Sequence, residues 1–142
     1  MEHIERQFVV GANADRAFTV WTTKAKIWWP RSHTMGGESH REVVFEPGVG
    51  GRIFERTTTG EELDWGEVTA WEPPRRVGYL WHLFFDRAEA TEVEVSFEPV
   101  PEGTRVTIAQ TGFDRLGVQG PPRRTRTEQA WEQLSGLYAA AL

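Results

Sequence analysis

The hydrophobic pattern changes period twice along the chain. Residues 3–10 end in Phe8-Val9-Val10 and are closed by Gly11, which predicts a first strand. Asn13 can cap a helix in which Ala14, Ala17, Phe18 and Trp21 recur at helical spacing. Residues 24–29 predict a second, short helix that Pro30 stops, because the residue before a proline is pushed out of the helical region. Residues 31–41 show no periodicity, and Gly36-Gly37 marks them as a loop.

From residue 42 onward the chain predicts strands separated by turns, at 42–46, 52–57, 63–71, 76–84, 91–98 and 104–111. In 91–98, Val93, Val95 and Phe97 alternate with Glu92, Glu94, Ser96 and Glu98, so one face is buried and the other wet. A final helix is predicted over 125–142. Thr125 and Glu128 have capping-box spacing, and Ala130, Trp131, Leu134, Leu137, Tyr138 and Ala141 form one apolar stripe. Gly136 within it costs about 1 kcal/mol relative to Ala. It is there either for close packing or as a merely tolerated residue.

The order is strand, two short helices, six strands and one long helix, an α+β arrangement. An antiparallel sheet with one apolar face must bury that face. The final helix is the only long amphipathic element that can cover it. A strongly curved sheet gripping one helix leaves room for a cavity between them.

At 142 residues, the chain is expected to form one domain over 1–142. A net charge of −5 lacks the footprint of a nucleic-acid binder and suits an anionic membrane surface poorly. Zero Cys removes disulfides, thiolate metal sites and a Cys nucleophile. No apolar run approaches the ~18 residues of a membrane span, and residues 1–18 carry no leader pattern. A soluble cytoplasmic protein is therefore expected, with no nucleic acid and no membrane as partner.

Several local motifs occur in one order along the chain: Ile27-Trp28-Trp29-Pro30, Pro47-Gly48-Val49-Gly50-Gly51-Arg52, Gly66-Glu67-Val68, and Glu72-Pro73-Pro74-Arg75-Arg76 before Trp81. Gly103-Thr104-Arg105, Thr111-Gly112-Phe113 and Trp131 complete the series. Together they resemble the START-like, SRPBCC superfamily with its helix-grip fold. Within it the chain looks most like the homologues of the activator of the ninety-kilodalton heat-shock chaperone ATPase. Members often carry a His where this chain has Gln110, so chemistry resting on that His is not carried over. A glycine that often precedes the final-helix tryptophan is Ala130 here.

The resemblance implies that the inner sheet faces carrying Val77, Tyr79 and Trp81, then Val95 and Phe97, then Val106, Ile108 and Gln110 look toward the helix. Leu134, Leu137 and Tyr138 are expected to face them across the cavity. Of the adjacent Trp28 and Trp29, only one can point squarely inward; Trp28 and the 31–41 loop are expected to form the entrance. The Tyr79 hydroxyl, the Gln110 amide, and Glu46 or Glu55 are the candidate polar groups of an otherwise apolar lining. Such a surface suits a small hydrophobic or aromatic molecule, unless large side chains fill the space.

His3 near the N-terminus, His33 and His40 in the loop and His82 on a strand lack metal-pair spacing; His33 and His40, with Glu38, are read as solvated loop residues, so no metal and no cofactor is expected. The four serines have no nucleophile-elbow context. Arg123, Arg124 and Arg126 cluster at the start of the final helix, where the dipole disfavours cations. They are either a docking patch for an anion or a basic turn facing Glu92, Glu94 and Glu98. Three function classes remain open. One is a carrier or sensor of a small hydrophobic molecule. Another is a protein-interaction module with a chaperone partner or self-association. The third is a cofactor-free cyclase, dehydratase or hydrolase using Tyr79, Gln110 or a cavity carboxylate.

Overall fold

The computed structural model describes residues 3–142. The first strand, β1 (Ile4–Val10), leads into helix α1 (Ala14–Trp21). Six strands follow: β2 (His40–Phe45), β3 (Arg52–Thr57), β4 (Glu62–Glu72), β5 (Arg76–Trp81), β6 (Thr91–Val100) and β7 (Gly103–Thr111). The long helix α2 (Gly120–Ala140) closes the chain. All seven strands form one antiparallel sheet in the order β1-β7-β6-β5-β4-β3-β2. The sheet is curled around α2, the helix-grip arrangement that the pattern of elements implied.

Register aligns the inner face as predicted. Val77, Val95 and Ile108 lie side by side on three neighbouring strands, with Phe97 opposite Val106 in the next row. All five side chains are buried. On the outer face Phe54 is covered by the guanidinium groups of Arg52 and Arg56, 4.3 and 5.4 Å from its ring centre. Those arginines are held by Glu42, Glu46 and Glu62. At Gly66 a Cβ would collide with the Leu80 carbonyl oxygen, so the close approach of β4 and β5 requires glycine there.

The Asn13 cap forms as expected, its side-chain oxygen accepting the Arg16 N–H at 2.9 Å. Other boundaries moved. Residues 24–29 yield only a 3-10 turn at Ala25–Ile27. Strand β5 stops at Trp81 because residues 82–85 turn, the Phe85 N–H donating to the His82 carbonyl at 2.7 Å. Helix α2 starts at Gly120, with prolines in its first turn, where a missing N–H has no intrahelical partner to lose. Thr125 is therefore inside the helix, and its hydroxyl donates to the Pro121 carbonyl rather than capping. A Cβ on Gly136 would meet nothing within 4 Å, which leaves the tolerated-residue reading.

Two buried polar fixtures hold this frame. The Gln110 amide bridges sheet and helix: its oxygen accepts the Trp131 indole N–H at 2.7 Å, and its nitrogen donates to the Thr91 hydroxyl at 2.9 Å. The second fixture corrects the reading of His40 as a solvated loop residue. His40 is buried at the start of β2, and its Nδ1 lies 2.9 Å from Glu55 Oε2. The Glu55 carboxylate, 0% exposed, also accepts the Met35 and Gly36 N–H groups at 2.8 Å. A Cβ on Gly36 would sit 2.5 Å from that carboxylate, which explains a glycine in the loop. The 31–41 segment is thus clasped to β3 from inside. Among the described residues no helix is long and apolar enough to cross a membrane.

Trp131→Ala should cost about 3–5 kcal/mol in a denaturant titration, the range for a large buried aromatic; a loss below about 1 kcal/mol would contradict its seat on the sheet. Glu55→Ala should likewise cost about 3–5 kcal/mol, as for one partner removed from a buried pair. It should also abolish hydrogen-exchange protection of the Met35 and Gly36 amides. Retained protection would mean that the clasp does not hold the loop.

Candidate functional site

Most of the space between the sheet and α2 is filled. Trp21 stands at its centre, stacked on Trp131 with ring centres 5.7 Å apart and planes 24° apart. Tyr138, Trp28 and Phe97 meet Trp21 at 4.8, 5.3 and 6.3 Å. The Trp21 N–H donates to the Tyr79 hydroxyl at 3.2 Å, and the Tyr138 hydroxyl donates to the Ala17 carbonyl at 2.6 Å. Burial pushes both tyrosine hydroxyls above the ordinary tyrosine range, so both stay neutral donors or acceptors.

A cavity of about 380 Å³ remains at one end, between the 81–85 segment of the sheet and the N-terminal half of α2. Its location follows from side-chain size along one helix face. Positions 123, 127 and 130 carry Arg, Thr and Ala, whereas 131, 134 and 138 carry Trp, Leu and Tyr. Large residues fill the C-terminal half of the interface, and small or polar ones leave the other half open. The opposite walls are Trp29, Trp81 and Gln110, with Leu83, Phe84 and Phe85 forming a rim.

The expected lining is only partly brought together here. Trp81, Gln110 and Leu134 line the cavity. Val77, Val95, Phe97, Val106, Ile108 and Tyr138 are in the closed core, where aromatic packing from α1 occupies the space in front of them. Leu137 is 36% exposed and points away, because it follows Leu134 by three residues while the buried face continues at Tyr138. Trp28 turns into the core, its N–H donating to the Val20 carbonyl at 2.8 Å, and Trp29 takes the place at the cavity. Trp28 and Tyr79 border only a void of about 10 Å³, barely the room for one water. Glu55 is spent on the loop clasp and Glu46 on Arg52 at the surface, so neither is a cavity group. The Gln110 amide is committed at both ends, as described above.

Sequence reasoning missed the rim. Phe84, 56% exposed, adopts a left-handed φ of 74°, which a bulky residue takes at a cost of about 1–3 kcal/mol. It lines the cavity together with Phe85. His33 also reaches the cavity, with Nε2 3.0 Å from Gln133 Oε1, while its carbonyl accepts the Trp29 N–H at 2.9 Å. Arg123 is 5% exposed: its guanidinium carbon lies 3.7 Å from the Phe85 ring centre, and one N–H donates to the Glu89 carbonyl at 2.6 Å. Desolvation lowers its pKa from the ordinary arginine value, leaving it a cation at any physiological pH. The usable signal was the size gradient along α2, legible once the helix start is placed correctly.

The cavity walls are therefore indole and phenyl groups, with cationic and hydroxyl groups among them. Among the described residues no three His, Cys, Asp or Glu side chains gather into a metal-binding group.

No curated protein matches the chain. Solved structures do. Protein MLL2253 from Mesorhizobium loti aligns with a TM-score of 0.75 at 21% identity, covering 99% of this chain and 96% of that one. The AHSA1-like protein from Aeromonas hydrophila aligns at 0.69 and 17% identity, over 99% and 91% of the two chains. At those identities the likeness concerns the fold. The anthrahydroquino-gamma-pyrone synthase Txn09 complexed with SUM is 34% identical over 78% of this chain and 77% of its own, with a TM-score of 0.58. The sequence model described as Activator of Hsp90 ATPase homolog 1-like protein matches residues 11–139. With the curled sheet, the gripped helix and a match over nearly its whole length, the chain belongs to the Activator of Hsp90 ATPase homolog 1-like family, within the START-like superfamily.

Proposed function

We propose that this protein binds a small, flat aromatic molecule in the cavity between the 81–85 segment and the N-terminal half of α2. The observation that carries this reading is the wall chemistry. Trp29, Trp81, Trp131, Phe84 and Phe85 surround a space of about 380 Å³, within the roughly 300–1,000 Å³ typical of small-molecule sites. Indole and phenyl faces favour offset or edge contacts with another ring, which adds specificity beyond area burial. The family fold supports a ligand-binding role, and the 34% identical relative bears the name of a synthase of an aromatic pyrone.

That name favours a second reading, in which the same pocket turns an aromatic guest over without a cofactor. His33 is then the proton-transfer group, since imidazole is suited to both directions of transfer near neutral pH and the lining contains no carboxylate. Under this reading His33→Ala keeps binding and stops conversion.

Thermal-shift and titration series with flavonoids, small aromatic acids and fatty acids should give aromatic binders for the wild type. A guest at a hundred times its Kd should stabilise by about 2.7 kcal/mol. Ala130→Trp, which fills the cavity from the helix side, should abolish this binding while the circular dichroism spectrum stays native; Thr127→Phe provides an independent filling. No aromatic binder for the wild type, or undiminished binding to both filled variants, would overturn the proposal.

A further inference from the structure

The cavity wall carries two arginines and no acid. Arg123 and Arg126 are one turn apart on α2 and both line the space, while neither Asp nor Glu does so. This is a cationic island in a chain of net charge −5. The carboxylates that might have neutralised it are committed elsewhere. Glu92, Glu94 and Glu98 pair with Arg115, Arg76 and Arg105 at 3.2, 3.3 and 2.8 Å. Glu89 turns its carboxylate to the Asp86 N–H. The third arginine of the cluster, Arg124, lies against Glu128 at 3.4 Å and the His3 carbonyl at 3.3 Å. Glu92, Glu94 and Glu98 are thus each paired outside α2.

Arg123 is the more informative of the two. A guanidinium has five N–H donors in a fixed fork, and here a single hydrogen bond goes to the Glu89 carbonyl. Its flat face is spent on Phe85, which leaves its edge for hydrogen bonding. The described buried polar atoms without a partner are Trp65 Nε1 and His82 Nε2, so no Arg123 nitrogen is sealed away unsatisfied. Its remaining donors are therefore open to solvent, on a residue that lines the cavity. Arg126 adds a second positive charge near enough to disfavour the first, and Arg123 itself lies in the first turn of α2, where the dipole is also positive. Two guanidiniums and the helix dipole put positive potential on one wall, offset only in part by Glu89 acting on Arg123, and an anion in the cavity would relieve it.

We infer that the guest is an aromatic carboxylate, its ring between the indoles and Phe85 and its carboxylate on the Arg123 and Arg126 guanidiniums; this rests on the aromatic reading of the pocket proposed above. Arginine suits that role because its planar fork matches both carboxylate oxygens at once.

The test compares naphthalene-2-carboxylate with naphthalene-2-carboxamide by calorimetric titration of the full-length protein. The two probes share ring and shape and differ in charge. At low ionic strength the carboxylate should bind at least about tenfold tighter, as expected for hydrogen bonds to a charged group. Added salt should narrow the gap, because the cavity opens to solvent at its rim. Arg126→Gln should bring the carboxylate most of the way down to the carboxamide, and Arg126→Lys should restore part of the preference. Arg123→Gln, with its fold checked by circular dichroism, should do the same by a second route. Equal binding of the two probes, or a preference that survives in both glutamine variants, would overturn the carboxylate assignment and leave the aromatic reading standing. If neither probe binds while the panel above gives another aromatic binder, the carboxylate assignment falls alone; with no aromatic binder at all, both fall.

Discussion

The architecture depends on one topological constraint. Strands β1 and β2 are consecutive in the chain yet lie at opposite edges of the sheet. Residues 11–39 must therefore cross six inter-strand gaps, roughly 29 Å at about 4.8 Å per gap. They cross on the concave side, under α2, and bring Trp21, Trp28 and Trp29 with them. Indole N–H groups in a packed interior usually find a partner. The three find theirs in the Tyr79 hydroxyl, the Val20 carbonyl and the His33 carbonyl. Trp21 in turn gives Trp131 a surface to stack on. The helix seat is thus set by the crossing segment as much as by the sheet.

That arrangement separates structural polar groups from available ones. Gln110, Tyr79, Tyr138 and Glu55 are buried, and each is engaged by specific partners inside the fold. A buried polar group left unpaired costs about 1–3 kcal/mol, so these side chains are worth more as fixtures than as reagents. The other polar groups that line the cavity are at the open end: His33, Arg123, Arg126 and Thr127. The strained Phe84 turn and the clasped 31–41 segment border that same end. Rigid packing in one half of the interface supports an accessible chemical surface in the other.

Apart from the second short helix, the order and type of the main elements, the inner sheet face and the Asn13 cap were legible in the sequence, because each depends on local periodicity or on a contact within one turn. Strand alternation at Val93, Val95 and Phe97 identifies the buried face wherever the sheet ends up. The antiparallel sheet and the single long helix then leave few ways to cover that face. Composition likewise limited the chemistry, since a chain without Cys has no thiolate to offer.

Which part of the interface is filled was decided only in three dimensions. Val77, Val106 and Ile108 look like cavity walls from their strands alone; the aromatic side chains that close the space before them arrive from α1, at the far end of the sequence. Trp28 and Trp29 are adjacent and chemically identical, and the crossing path, not the residue type, turns one inward and the other to the pocket. The same holds for polar roles. Glu55 and His40 are 15 residues apart and become partners only through the β2–β3 register. Arg123 stands on the cavity wall because α2 begins at Gly120, ahead of the predicted cap. Local patterns determine what each segment can be, whereas packing between distant segments determines which surface remains open, since a cavity is made by the side chains that do not reach it.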